Sequence, residues 1–274
     1  MRAAIGGIFI AVLLGLALAL NPLASSAATP HHTTHKSDKP TIVLVHGAWA
    51  DGSSWRSVTA KLQKSGYTVD VAANPLRGVK SDTGYLKDRL STIPGPIVLV
   101  AHSYGGMVIT GAATGNSHVK ALVYIDAYVP DTGDNVVALT GPNSSLDPAT
   151  TLDAVPLHDA TGAVYDVDLY VKQAVFPAIF AGGVRSSTAA VLAAGQRPLT
   201  LSALSEKFTG APAWETIPSW DLIGTADRVI PRAEQEKMAA RAGAQVVRVD
   251  APHLSMVSDP GAVASLIRTA AQHS

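Results

Sequence analysis

Apolar positions along this chain gather into short runs separated by mixed segments. Thr41, Ile42, Val43, Leu44 and Val45 form the first run, Tyr67 to Ala73 the second, Ile97 to Val100 the third and Val119 to Ile125 the fourth. Trp220 to Ile223 and Gln245 to Val249 complete the series. The first and third runs, rich in β-branched residues and almost wholly apolar, predict buried strands, and the others read as further strands. Between them, Ser54 to Ser65 places Trp55, Val58 and Leu62 at helical spacing and ends at Gly66. Thr83 to Leu90 reads as another helix, and Pro94, Gly95 and Pro96 interrupt the chain before the third strand. The alternation predicts an α/β fold: a mainly parallel sheet, right-handed crossovers and helices on both faces in three layers. Ligands of such sheets bind at the carboxyl ends of the strands.

Residues 130–215 break the pattern. Pro142, Pro148, Pro156, Pro177, Pro198 and Pro212 divide them into short helical pieces with no clear strand, which predicts a helical cap inserted in the domain at residues 41–273. Tyr128, Leu139, Leu146, Tyr165, Tyr170, Phe176, Phe180 and Leu199 are candidates to line its apolar underside.

The first residues read as a targeting signal. Arg2 supplies positive charge, Ala3 to Leu20 is almost wholly apolar, and Ser25, Ser26, Ala27 and Ala28 are small residues suited to cleavage. A signal peptide over residues 1–28 is expected, with a secreted, extracellular product; an uncleaved membrane anchor is the alternative. Residues 29–40 hold His31, His32 and His35 in a polar tract that reads as a flexible linker, with no metal assigned.

Charge and cysteine usage narrow the chemistry. Lysine and arginine number 21, aspartate and glutamate 21, and no basic block occurs, so neither nucleic acid nor an anionic membrane surface is an expected partner. The chain has no cysteine, which excludes disulfides, thiolate catalysis and cysteine zinc sites. No glycine-rich dinucleotide or phosphate loop is present, and no cofactor is expected. A small molecule is the expected partner, and the sequence specifies no oligomeric state.

Three polar loops follow three of the predicted strands. After the third strand come Ala101, His102, Ser103, Tyr104, Gly105 and Gly106, with a small-residue helix start beyond. A sharp strand-to-helix turn there lifts a serine oxygen out of the sheet and aims backbone N–H groups at the same point. The usual Gly-x-Ser-x-Gly has Ala101 in its first place, one methyl group more. The first strand ends in His46, Gly47, Ala48 and Trp49, so Ala48 N–H and Tyr104 N–H are the candidate oxyanion donors, and Trp49 and Tyr128 candidate pocket residues. His46 reads as a structural histidine bonded within its loop. Gly224, Thr225, Ala226 and Asp227 follow the fifth strand; Asp250, Ala251, Pro252 and His253 follow the sixth. Asp126, at the end of the fourth strand, is a rival acid, ranked behind Asp227 because the Gly-Thr-x-Asp turn is followed by Ile-Pro. As an alternative to a catalytic role, Asp227 caps the following helix.

With Ser103, Asp227 and His253 in that order, the chain resembles the α/β-hydrolase superfamily over about residues 40–273. It is more narrowly similar to its small esterase-like branch, which includes plant methyl esterases and hydroxynitrile lyases. The resemblance implies Ser103 as nucleophile, His253 as general base and then acid, and Asp227 as the residue that orients the imidazolium. In the lyases a lysine follows the histidine; here Leu254 stands in that place, which argues against cyanohydrin chemistry. The expected activity is hydrolysis of a small to medium uncharged carboxylic ester or lactone through an acyl-enzyme, rising with pH as His253 loses its proton. A hydrolase-fold lyase, a cofactor-free perhydrolase and a non-catalytic ligand-binding protein are the alternatives.

Overall fold

The computed structural model describes residues 39–274. The expected signal peptide, and the expected linker as far as residue 38, lie outside them. Six strands, β1 (Thr41–Val45), β2 (Val69–Ala72), β3 (Ile97–His102), β4 (Val119–Ile125), β8 (Ser219–Gly224) and β9 (Gln245–Val249), form one sheet in the order β2-β1-β3-β4-β8-β9. Every neighbouring pair is parallel. All residues of β3 and β8 are buried, as continuous apolar runs covered on both faces require. The edge strand β9 is only half-buried.

Helix α1 (Arg56–Lys64) packs on α11 (Pro260–Gln272), and α2 (Val79–Ser91) on α3 (Gly105–Ala112). Helices α11 and α3 both reach β3 and β4, so the central strands lie between two helical layers. Gly66, with φ +79°, ends α1 in the left-handed conformation that glycine adopts at low cost. The chain leaves β1 toward β2 and then returns to β3 on the other side. This makes the β1/β3 boundary the switch point where the loops after the two strands face each other.

The cap is part sheet, which corrects the expectation of helices alone. Beside α4 (Val136–Thr140), α5 (Pro148–Thr151), α6 (Phe176–Ile179), α7 (Ser186–Ala194) and α8 (Leu201–Ser205), it holds an antiparallel sheet of β5 (Leu152–His158), β6 (Val164–Val171) and β7 (Leu199–Thr200). Pro156 is tolerated because β5 is an edge strand. The β5–β6 turn is built by Asp159, whose Oδ1 accepts from Thr161 N and Ala163 N. Strand β6 is polar at Asp166 and Asp168 and apolar at Val167, Leu169 and Val171, a half-buried alternation.

Buried and half-buried polar contacts stitch this cap to the core loops. Arg77 Nη1 meets Asp168 Oδ1 at 2.6 Å, Trp49 N donates to Arg197 O at 3.0 Å, and Glu206 accepts from Val79 N at 2.5 Å at the start of α2. Helix α9 (Arg232–Arg241), between β8 and β9, completes the core beside β8.

Candidate active site

Ser103 sits at the tip of a turn between β3 and α3 with φ +52°, the left-handed region that costs a non-glycine residue of order 1–3 kcal/mol. Its surroundings hold it there. Its N–H donates to Ile125 O at 3.3 Å, and its carbonyl accepts from Gly106 N at 2.9 Å and Tyr128 N at 3.2 Å. The two glycines that follow are steric requirements. A Cβ on Gly106 would lie 1.9 Å from Tyr128 O, and one on Gly105 would lie 3.0 Å from Val45 O. Ala101, in the place of the first glycine of the usual pattern, is fully buried within the core.

His253 and Asp227 are both fully buried in their side chains, with Nδ1 and Oδ2 2.8 Å apart. Asp227 Oδ1 also accepts from Val229 N at 2.7 Å and Ile230 N at 3.0 Å, and its Oδ2 from Gln235 Nε2 at 2.8 Å. It therefore closes its own turn and does not cap α9, whose N-cap is Pro231 with no side-chain bond. Backbone N–H groups and Gln235 Nε2 can only donate, so they stabilise the carboxylate. A carboxyl proton would have only the His253 nitrogen to point at, which places the shared proton on Nδ1. Burial works against charge on both partners, raising the Asp227 carboxyl and lowering His253 below the ordinary imidazole range. The resting imidazole is neutral, with Nε2 bare and without a hydrogen-bond partner among the described residues.

Asp126 takes a different part from the one weighed for it. Its Oδ1 accepts from Gly224 N at 2.7 Å, and its Oδ2 from the N–H and hydroxyl of Ser255. It makes no bond to His253 and ties the end of β8 to the histidine loop. Burial and the nearby Asp227 charge raise its carboxyl above the usual range. His46 is the expected structural histidine: Nε2 accepts from Asn74 N at 3.3 Å, and Nδ1 lies 2.9 Å from Gly47 O.

Three contributors, His102, Gln235 and Ser255, were not picked out from the sequence, and a fourth, Phe180, was expected only on the cap underside. His102 Nε2 lies 2.9 Å from His253 O, with the two rings 4.6 Å apart. Gln235 and Ser255 act as above, and Phe180 sets its edge 4.7 Å from the His253 ring. Only the position of His102 beside Ser103 gave a sequence signal for any of them; the others are brought in by folding.

A cavity of about 280 Å³ opens beside Ser103, with Ala48, Trp49, Tyr104 and Tyr128 in its wall. Neither Ala48 N–H nor Tyr104 N–H donates to any other described group. The Tyr104 hydroxyl is anchored by Asp82 Oδ2 at 2.9 Å, which fixes the start of α3. Most of the remaining wall is apolar, from Val136, Leu146, Leu152, Leu199 and Leu204. Asp147 is its charged member, and it caps α5 through Ala149 N at 3.0 Å. Of the expected underside residues, Tyr128, Leu146 and Leu199 line this cavity, Phe176 and Phe180 stack at 5.0 Å nearer His253, and Tyr165 is instead 67% exposed on the cap surface. No group of three or more potential metal ligands occurs among the described residues.

The sequence model of the alpha/beta hydrolase family matches residues 42–266, which span all six strands of the main sheet apart from Thr41. The chain belongs to the α/β-hydrolase family. It is 38% identical over 111 residues to a carbendazim hydrolyzing esterase of Nocardioides sp. (strain SG-4G), across 36% of this chain and 46% of that protein. The chain thus matches about half the length of that relative. It is 27% identical over 255 residues to the alpha/beta hydrolase nvfD of Aspergillus novofumigatus (strain IBT 16806), covering 85% of this chain and 97% of the other. The crystal structure of polyneuridine aldehyde esterase superimposes with a TM-score of 0.72 at 18% identity, over 84% of this chain and 98% of that one. This α/β hydrolase therefore shares its fold with an esterase.

Proposed function

We propose that this α/β hydrolase is a secreted serine esterase that cleaves a small to medium uncharged carboxylic ester or lactone through an acyl-enzyme. The observation that carries the reading is the buried Asp227–His253 pair, 2.8 Å apart and with Nε2 left bare, on the loop that His102, next to the strained Ser103, holds at 2.9 Å.

Ser103 Oγ attacks the ester carbonyl carbon while its proton passes to His253 Nε2. The carbonyl oxygen takes up negative charge and is met by the free N–H groups of Ala48 and Tyr104, each worth about 3 kcal/mol in the transition state. His253 then gives the proton to the leaving alkoxide oxygen as the C–O bond breaks, which leaves the acyl group on Ser103. Water, deprotonated by the same nitrogen, attacks the acyl carbon, and as the bond to Ser103 Oγ breaks the proton returns to that oxygen and the acid is released. Asp227 holds the proton on Nδ1 throughout and balances the imidazolium.

The apolar cavity, with Asp147 as its charged wall residue, supports an uncharged substrate. None of Arg77, Arg185, Arg197 and Arg228 lines it, and Arg77 is paired with Asp168. Leu254, 1% exposed, supports hydrolysis over cyanohydrin chemistry, because the residue that follows His253 carries no ammonium group. The activity in the name of the carbendazim hydrolyzing esterase points the same way. The apolar segment from Ala3 to Leu20 supports export, and the N-terminus of the exported protein, sequenced from the medium, is expected near Ala28.

The function is tested by turnover of short p-nitrophenyl esters by the purified protein. Steady release of nitrophenol, lost in Ser103→Ala, is the expected result. A folded protein that turns over no ester in the series contradicts the reading.

A further inference from the structure

Beyond Trp49 lies a second, smaller chamber of about 160 Å³, whose wall includes Asp51, Ser53, Phe176, Leu192 and Leu254. Trp49 is in the wall of both this chamber and the Ser103 cavity. Ser103 and the two free N–H groups belong to the larger space alone. Leu254, adjacent to His253, and Phe176, stacked on the Phe180 that touches the His253 ring, belong to the smaller. Trp49 is thus a partition one side chain thick between the nucleophile side and the histidine side of the site.

The partition is held in place. The Trp49 backbone has φ +55°, its N–H donates to Arg197 O at 3.0 Å, and its Nε1 donates to Leu169 O at 2.8 Å. Its ring meets Phe180 edge-on at 5.7 Å. A bulky residue in the left-handed region is costly, and here two cap carbonyls and an aromatic neighbour fix it.

We propose that Trp49 sets the size limit on the leaving alcohol, and that the chamber behind it is the unused half of an alcohol subsite. The inference rests on the esterase reading and deepens it. The histidine must protonate the departing alkoxide oxygen, so the alcohol leaves on the His253 side, toward Trp49 and the chamber. The acyl group, with its carbonyl oxygen at Ala48 and Tyr104, occupies the larger apolar cavity. With Trp49 in place, a small alcohol fits; without it, the alcohol portion extends into the chamber and toward solvent past Val191, which is 72% exposed.

The test compares methyl and benzyl esters of one acid, alongside p-nitrophenyl acetate and hexanoate, in the wild type, Trp49→Phe and Trp49→Ala. Trp49→Gly serves where Trp49→Ala does not fold, because glycine takes φ +55° without strain. The expected result is a rise of about 10-fold or more in the benzyl-to-methyl ratio of kcat/KM for the small variants and little for Trp49→Phe. Adding Leu192→Phe, which fills the chamber, is expected to cancel the gain. An unchanged ratio, or a shift confined to the acetate-to-hexanoate series, overturns the assignment. Labelling of Ser103 by a fluorophosphonate separates the two failures. A labelled, active wild type with an unmoved ratio refutes only the role of Trp49, whereas a wild type with neither labelling nor turnover refutes the esterase reading itself.

Discussion

His102 Nε2 stands 2.9 Å from the carbonyl oxygen of His253, across 151 residues of chain and with both rings shut off from water. A carbonyl only accepts, so His102 carries its proton on Nε2 and is neutral; burial lowers its basicity well below the ordinary imidazole range. The residue beside the proposed nucleophile thus holds the backbone of the proposed base. An error of about 1 Å in such a site costs of order 100-fold. His102→Leu is expected to lower kcat by about 10- to 100-fold with KM little moved, and His102→Gln, whose amide can still donate to His253 O, to recover most of it. Equal losses in both variants count against the positioning role.

The two candidate acids separate cleanly in what their replacement does. Asp227→Asn places an amide against His253 Nδ1 and favours the wrong tautomer, so a fall in kcat of about 10³- to 10⁴-fold is expected with folding retained. Asp126→Asn instead sets its amide nitrogen against the N–H of either Gly224 or Ser255, which costs about 1–3 kcal/mol in unfolding free energy. Thermal denaturation and ester turnover on both proteins check this. Turnover that survives in Asp227→Asn and vanishes in Asp126→Asn reverses the assignment.

The proposed mechanism requires neutral His253, so kcat/KM is expected to fall as pH drops through its pKa. Burial lowers that pKa, and the acid limb is therefore expected below pH 6.5, with a level profile above it where an unperturbed histidine would still be titrating. A level profile across neutral pH, which the sequence alone would have set against a histidine base, becomes the expected form once its burial is known. Phe180→Ala uncovers the ring and is expected to move the limb upward, toward 6.5. Profiles of kcat/KM for the two proteins test this; a limb that stays put in the variant shows that burial is not the cause.

Gly106→Ala tests the turn. The added methyl carbon meets Tyr128 O at 1.9 Å, so the segment after β4 and α3 must move apart. A loss of about 1–3 kcal/mol or more in chemical unfolding is expected, with esterase activity falling as Ser103 shifts. Wild-type stability in this variant contradicts the packing described.

Much of the frame was legible because its physics is local. β1 and β4 could be bounded from their apolar runs, since a strand covered on both faces writes its burial at nearly every position. Ser103, Asp227 and His253 each follow a strand and stood out for that reason. The cap did not: β5 is mostly exposed and contains Pro156, so neither its composition nor its periodicity marked a strand. The contacts of His102, Gln235, Asp126 and Ser255 are tertiary. Each is a common polar residue whose partner is fixed by the meeting of distant loops, so no spacing rule reveals it.

The central claim is that Ser103 is the nucleophile served by His253 and Asp227. Its most direct test is to incubate the mature protein with a fluorophosphonate probe and map the adduct by mass spectrometry in the wild type, Ser103→Ala and His253→Ala. The account predicts one adduct, on Ser103, absent from Ser103→Ala and formed far more slowly in His253→Ala. Labelling on another residue, or equal labelling rates with and without His253, would contradict it.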